Sequence, residues 1–216
     1  MPLLFQHTLP DCSLAVWKTD ESVDELLNLL LPHQERYRQE ITRFAATQRR
    51  REWLATRILL RLLLNNSSSE AEITHLPNGK PYLKESTVPI SISHTMGYAA
   101  LLIGHSGDET GIDIEQTGER VHRIAPRYMR EDEPIHSYLG TDTWSLLLHW
   151  SAKETLFKCL NTPEVDFKQH LRIFPFIPAP EGSFPAEEYR TPAHRRLLIH
   201  YQLHPDFVLT WTTYHL

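Results

Sequence analysis

Helical and strand-like segments follow one another in the same order twice along this chain, and this repetition restricts the fold more than any other sequence feature. Long helical patterns cover residues 47–64 and about 141–160. Strand-like segments follow each helix, at residues 73–76, 90–94, 98–104, 111–115, 167–174, 197–203 and 207–214. A helix followed by several strands, without regular alternation, is typical of α+β proteins. We therefore predict two similar α+β halves, residues 1–108 and 109–216, each with a long helix on a small antiparallel sheet.

Shorter patterns complete the predicted organisation. A strand is expected at residues 14–18, and helices are expected at residues 22–31, 34–43 and 119–137. Asn65, Asn66 and the three serines that follow are expected to end the first long helix. The proline-rich stretch at residues 175–192 is expected to form a loop.

The composition excludes several classes of protein. The chain has 216 residues, of which 41% are hydrophobic and 23% charged, and its formal net charge is -5. Such a chain can build a core, and it lacks the positive excess of a general nucleic-acid binder. Its two cysteines cannot make a disulfide framework, and no apolar run is long enough to span a membrane. Because its first residues resemble no export signal, we expect a cytoplasmic protein without nucleic-acid or membrane partners.

Charge is distributed unevenly along the chain. Residues 36–61 contain eight arginines and two glutamates, whereas residues 108–133 contain eight acidic residues and four arginines. A basic segment together with an acidic one suits a protein that binds an anion and a metal ion. A solvated helix face also explains basic clusters, so both interpretations stay open at this point.

The segment GIDIE places two carboxylates, Asp113 and Glu115, two residues apart in a predicted strand. Side chains alternate along a strand, so both carboxylates lie on one face and both isoleucines on the other. Two parallel carboxylates repel each other unless a cation or a donor lies between them. A hard divalent ion such as Mg²⁺ is the natural ligand. An exposed edge strand that merely alternates apolar and acidic residues is the alternative.

The predicted long helix of the second half contains the segment WSAKETLFK. Its spacing places Trp150, Glu154 and Lys158 one turn apart on one stripe of the helix. A third carboxylate is therefore available to the site of Asp113 and Glu115. The alternative is an exposed Glu–Lys pair that contributes a few tenths of a kcal/mol to helix stability, although the large aromatic on the same stripe favours partial burial.

Two further segments offer groups that bind anions. In ISISHT, His94 ends a predicted strand next to a turn that contains glycine, where an imidazole can donate to a phosphate oxygen. In GKPYL, Lys80 follows a turn glycine and is placed to reach an anion, although a lysine in a turn is usually only solvated.

The chain lacks the motifs of several common enzyme classes. It contains no G-x-x-x-x-G-K-[ST], G-x-G-x-x-G, H-E-x-x-H or G-x-S-x-G segment, which excludes the corresponding nucleotide-hydrolase, dinucleotide-binding, zinc-protease and α/β-hydrolase interpretations. The remaining carboxylates, lysines, histidine and arginines fit phosphoryl-type transfer on a metal-bound phosphorylated substrate.

Taken in order, GKPYL, ISISH, GIDIE and WSAKETLFK resemble the motifs of 4′-phosphopantetheinyl transferases, specifically the long single-chain type that activates surfactin synthetase and similar synthases. The resemblance implies a fold of two α+β halves related by a pseudo-twofold axis, with coenzyme A bound between them. It also implies Mg²⁺-dependent transfer of the 4′-phosphopantetheine arm of coenzyme A to a serine of an acyl or peptidyl carrier protein. The second product is adenosine 3′,5′-bisphosphate.

The same resemblance implies roles for individual residues. The magnesium ligands that it implies are Asp113, Glu115 and Glu154. Glu154 and Lys158 are the implied catalytic residues, with Lys158 beside the pyrophosphate of coenzyme A. The residues implied at the phosphates are Lys80, Ser93 and His94. For the 3′-phosphate, where some relatives have lysines, the candidates are Arg38, Arg43, Arg51 and Arg57.

Two other functions fit the same residues. One is a Mg²⁺-dependent hydrolase that cuts a nucleotide pyrophosphate without a protein acceptor, and the other is a coenzyme A-binding module without catalysis. We also expect a monomer, because two halves within one chain can build a complete site. The sequence leaves open which carrier protein is the acceptor.

Overall fold

A computed structural model describes residues 2–65, 71–160 and 162–215 of the chain. Two compact units are present, Met1–Gly107 and Asp108–Leu216. Each unit combines helices with antiparallel strands, so the predicted α+β class is confirmed. Within the described residues, no helix has both the length and the apolar character needed to cross a membrane.

The described residues of the N-terminal unit contain nine main elements. They are β1 (Leu3–Thr8), β2 (Cys12–Lys18), α1 (Val23–Asn28), α2 (Gln34–Glu40), α3 (Thr47–Leu63), β3 (Ile73–His75), β4 (Pro81–Leu83), β5 (Ile90–Thr95) and β6 (Tyr98–Gly104). Four strands form an antiparallel sheet in the order β1-β2-β6-β5, and β3 pairs with β4. A short 3₁₀ turn, Ile41–Arg43, separates α2 from α3.

Helix α3 packs on the sheet of this unit through an apolar face. Trp53, Leu54, Ile58 and Leu59 are buried in one core together with residues of β2, β5 and β6. Relative to Leu54, the other three lie one residue before it and four and five residues after it, which keeps all of them on one side of the helix. The start of α3 consequently lies beside the end of β5, which matters for the anion-binding groups discussed below.

The C-terminal unit begins with the strand that contains GIDIE. Its elements are β7 (Asp108–Gln116), α4 (Arg120–Tyr128), α5 (Thr143–Cys159), α6 (Phe167–His170), β8 (Leu171–Ile173), β9 (Glu181–Glu188), β10 (Arg196–His204) and β11 (Phe207–His215). The strands form one antiparallel sheet in the order β7-β11-β10-β9-β8. Helix α5 packs on β7 and β11, so the edge strand β7 is covered on its helix side.

Two predicted elements differ from the structure. The helix expected at residues 119–137 ends at Tyr128, because the Arg130 amide donates to the Glu133 carboxylate instead of continuing the helix. The strand expected at residues 167–174 begins as a helical turn, since the Asp166 carboxylate caps two amides there. Residues 66–70, which include Asn66 and the three serines expected after the first long helix, lie outside the described residues.

The prediction of a loop for the proline-rich stretch at residues 175–192 is also wrong, because this stretch contains β9. Pro185 is tolerated in this strand for a geometric reason. Its carbonyl accepts from the amide of Phe174, so its nitrogen faces the side where β8 has already ended at Ile173. The missing N–H therefore removes no bond from the pairing with β10.

Candidate active site

Helix α5 and strand β7 approach each other very closely at Gly111. A Cβ atom added to Gly111 would lie 2.2 Å from the backbone oxygen of Thr155 and 2.8 Å from Sγ of Cys159. No side chain fits there, so only glycine allows this packing. Because side chains alternate along a strand, Asp113 and Glu115 share the face of Gly111 and point toward α5. The first residue of GIDIE thus brings the two carboxylates to the helix.

The carboxylate of Asp113 is held by two side chains of α5. Lys158 Nζ donates to Oδ1 at 2.8 Å, and Ser151 Oγ donates to Oδ2 at 2.8 Å. Lys158 also donates to the carbonyl of Ile112 at 2.9 Å. Asp113 is only 3% exposed, so these donors replace the water that an ionised carboxylate loses on burial. Lys158 therefore forms its ion pair with Asp113 on β7, and not with Glu154 four residues before it on α5.

Glu115 lies beside this pair and is bound by an aromatic donor. Trp150 Nε1 donates to Glu115 Oε1 at 2.8 Å, and the Trp150 ring packs against Tyr128 and Phe167. Burial, followed by the negative charge of Asp113, raises the pKa of Glu115 to about 7. A neutral Glu115 is therefore easily formed near pH 7, and a nearby cation would ionise it.

Glu154 is the carboxylate of this group with the fewest hydrogen-bond and ion-pair partners among the described residues. Burial, followed by the charges of Asp113 and Glu115, raises its pKa to about 7, and only Lys158 acts in the opposite direction. Within the residues that the structure describes, Glu154 forms no hydrogen bond and no ion pair. A half-buried carboxylate without a partner is costly for a folded protein. Such a group is expected where a ligand supplies the missing charge.

The three carboxylates interact electrostatically, but they are not assembled into a closed metal site. Within residues 2–65, 71–160 and 162–215, no three His, Cys, Asp or Glu side chains already surround a position for a metal ion. The donor set nevertheless fits Mg²⁺, which prefers carboxylate oxygens and keeps several waters. Asp113, Glu115 and Glu154 bring three carboxylates against one lysine.

A buried ion pair that the sequence did not single out lies next to Glu154. Lys153 Nζ donates to Glu133 at 2.8 Å and to the carbonyls of Tyr128 and Phe167 at 2.6 and 3.2 Å. Glu133 also accepts from the amide of Ile173. Burial lowers the pKa of Lys153. This network ties the segments after α4 and around α6 to α5, and the sequence signal for it is a lysine with apolar residues at helical spacing, namely Trp150, Leu156 and Phe157.

In the N-terminal unit, His94 is in contact with α3. Its Nδ1 lies 3.2 Å from Oε2 of Glu52, and its Nε2 contacts Nη1 of Arg49. The neighbouring Ser93 is buried, whereas the side chain of His94 is 37% exposed. The structure thus adds Glu52 and Arg49 to the predicted anion-binding group, and neither follows from local spacing because β5 and α3 are far apart in sequence.

The arginines predicted to bind the 3′-phosphate lie in different environments. Arg57 is 7% exposed, its guanidinium lies 3.6 Å from the centre of the Trp53 ring, and burial lowers its pKa to about 9. Arg38 pairs with Asp24 at the surface. Arg51 has a buried Nε without a partner among the described residues. Arg43 stacks over Phe44.

Lys80 follows the turn at Gly79, and its own amide donates to the side chain of Asn78 at 3.1 Å. Gly79 has a positive φ of 88°, a conformation that favours glycine. The turn predicted from Pro77-Asn78-Gly79 is therefore present, and it leaves the side chain of Lys80 half-buried.

Comparison with known families connects both units to one group of enzymes. Residues 37–104 match the 4′-phosphopantetheinyl transferase N-terminal domain, and residues 109–212 match the 4′-phosphopantetheinyl transferase superfamily. Together these ranges span about four fifths of the chain. A search of curated proteins found no match. The chain therefore belongs to the 4′-phosphopantetheinyl transferase superfamily and is a holo-carrier protein synthase, which transfers phosphopantetheine from coenzyme A to carrier proteins.

Proposed function

We propose that this enzyme catalyses a Mg²⁺-dependent transfer of the 4′-phosphopantetheine arm to a serine of an acyl or peptidyl carrier protein, with release of adenosine 3′,5′-bisphosphate. The observation that carries the proposal is Glu154, a half-buried carboxylate without a partner among the described residues, next to Asp113 and Glu115. Three carboxylates with a single lysine leave an excess of negative charge that a divalent cation would balance.

In this proposal Asp113, Glu115 and Glu154 are the residues that would hold Mg²⁺. The ion would supply positive charge that offsets the negative charge building on the pyrophosphate of coenzyme A. Ser151 and Trp150 keep the Asp113 and Glu115 carboxylates oriented toward the site. Oriented ligands lower the cost of reorganisation when the substrate binds.

The transfer step follows from the remaining groups. The carrier serine oxygen attacks the phosphorus that bears the pantetheine arm, and the bond from this phosphorus to the bridging oxygen breaks. The electron pair of that bond leaves with the bisphosphate. Glu154 accepts the serine proton directly or positions the water that accepts it. Lys158 stabilises or protonates the leaving phosphate.

We further propose that the enzyme is of the long single-chain type and acts as a monomer. The presence of both matched domains in one chain supports this assignment. Size-exclusion chromatography with light scattering would test it: a mass near 25.2 kDa is expected, and a stable dimer would contradict it.

The decisive assay mixes the enzyme with coenzyme A and an apo carrier protein. With Mg²⁺, the mass of the carrier should increase by one phosphopantetheine and bisphosphate should appear in equal amount, and chelation with EDTA should stop both. Release of bisphosphate without any carrier would favour a pyrophosphate hydrolase. Tight binding of coenzyme A without transfer to a panel of carriers would favour a binding module.

A further inference from the structure

We propose that Glu52 is a positioning residue that holds His94 and Arg49 as a two-point clamp for a phosphate group of coenzyme A. This inference deepens the proposed function, since it concerns how the N-terminal unit binds the substrate of the same reaction. It adds two residues, Glu52 and Arg49, to the groups that the sequence analysis named.

Glu52 itself is firmly placed. It is 7% exposed on α3, and its Oε1 accepts from Gln48 Nε2 at 3.2 Å. Gln48 in turn donates to Thr19 Oγ1 at 3.0 Å, which ties the group to the end of β2. Burial is the main cause that raises the pKa of Glu52. A carboxylate that is costly to bury is expected to have a role that offsets its cost.

The two groups that Glu52 contacts reach outward. Arg49 Nη1 lies 3.6 Å from Glu52 Oε2, and the side chain of Arg49 is 45% exposed. Because His94 presents Nδ1 to Glu52, its other ring nitrogen is turned to Arg49. The imidazole and the guanidinium therefore meet at one place on the surface of this unit.

This arrangement suits an oxyanion. A phosphate can accept hydrogen bonds from a guanidinium and an imidazolium at once, and such charge-assisted bonds are about twice as strong as neutral ones. The Glu52 carboxylate lies 3.2 Å from Nδ1 of His94 and attracts the Arg49 guanidinium, which keeps the pair assembled before the substrate arrives.

The test compares Glu52→Ala and Glu52→Gln with the matched control Glu72→Gln. Glu72 is also a carboxylate of the N-terminal unit that pairs with two cations, Arg36 and Lys84. Circular dichroism and thermal unfolding first establish that each variant is folded. Calorimetry then gives the affinity for coenzyme A and for 3′-dephospho-coenzyme A, and transfer kinetics give kcat and KM.

For Glu52→Ala we expect the KM and Kd for coenzyme A to rise about tenfold, because one charge-assisted contact is lost. The kcat should change less than about threefold, since Glu52 does not take part in the transfer step. Glu52→Gln should retain part of the affinity, because its amide oxygen still accepts from Nδ1. Glu72→Gln should match the wild type. Arg49→Ala should weaken binding similarly, and the double variant Arg49→Ala/Glu52→Ala should lose less than the product of the two single losses.

Comparison of the two ligands identifies the phosphate. A loss for coenzyme A alone assigns the clamp to the 3′-phosphate, and an equal loss for both ligands assigns it to the pyrophosphate. Wild-type affinity in folded Glu52→Ala, or in Glu52→Gln if the alanine variant does not fold, would overturn the proposal while wild-type transfer still stands. An inactive wild type would contradict the proposed function, and the binding data would still decide the role of Glu52.

Discussion

The two units place a buried or half-buried glutamate of a long helix against a neighbouring strand, with opposite results. In the C-terminal unit, Glu154 of α5 faces the acidic strand β7, where only Lys158 opposes the charges of Asp113 and Glu115. In the N-terminal unit, Glu52 of α3 lies between Arg49 and His94. The first cluster has three carboxylates and one cation, whereas the second presents a guanidinium and an imidazole around one carboxylate. The same packing of a helix on a strand thus makes a candidate cation site or a candidate anion site, depending on which charges surround the carboxylate.

The variant Glu154→Gln tests the candidate cation site of the C-terminal unit most directly. We expect transfer to fall about 100-fold or more, because the variant loses both a metal ligand and the group that accepts or positions the proton. Its folding should be unaffected or slightly improved, since Glu154 has no partner among the described residues and the amide avoids burial of a charge. Steady-state transfer and thermal unfolding measure the two effects. The control is Glu181→Gln, an exposed glutamate of β9, and a folded Glu154→Gln enzyme with normal activity would refute the site.

Lys158→Ala tests the single cation of the C-terminal cluster. We expect turnover to fall about tenfold or more, because the leaving phosphate loses its stabilising charge. Stability should also fall, since Asp113 is then buried without its ion-pair partner. Added Mg²⁺ should restore part of that stability. Lys168→Ala, which removes an exposed lysine of α6, is the control, and unchanged kinetics in Lys158→Ala would assign Lys158 a purely structural role.

Gly111→Ala tests whether the close approach of α5 to β7 assembles the carboxylates. A methyl group 2.2 Å from the Thr155 carbonyl must push helix and strand apart, which should cost about 1–3 kcal/mol of stability. Activity should fall about tenfold, because positioning errors near 1 Å are costly for catalysis. Gly118→Ala is a matched control with open space around the added atom. Equal behaviour of the two variants in denaturant unfolding and transfer assays would contradict the spacer role of Gly111.

The last prediction concerns pH. Folding raises the pKa of Glu115 and Glu154 to about 7 from an ordinary value of 4.5, so both groups favour the folded state when protonated. Their contribution is fully present below about pH 4.5 and is lost as the pH rises through about 7, by at most about 3 kcal/mol for each group in metal-free protein. Denaturant unfolding between pH 4.5 and 8 measures this slope. Glu154→Gln should flatten it, and Mg²⁺ should oppose the loss above pH 7. A slope that Glu154→Gln leaves unchanged would show that Glu154 does not titrate in this range.

The secondary structure was predictable where local patterns were strong. The long helices and the strands around residues 90–104 and 197–214 follow from hydrophobic periodicity, and β6 has the predicted bounds. The prediction failed where a single side chain overrides local propensity. Glu133 captures the amide that would continue α4, Asp166 caps an unexpected turn, and Pro185 enters a strand because its nitrogen faces no partner. These contacts depend on positions that local periodicity does not describe.

Some features of the candidate site could likewise be predicted from local patterns, and others could not. The residue types of the site follow from local patterns: the alternation of GIDIE directs two carboxylates to one face, and helical spacing places Glu154 and Lys158 on one stripe. Which of these groups meet depends on how the elements pack. The packing paired Lys158 with Asp113 rather than with Glu154, and it brought Glu52 and Arg49 to His94. Residue spacing determines the direction of side chains within one helix or strand, whereas close packing between elements determines which side chains become partners. At Gly111 the helix can approach the strand because no side chain lies between them.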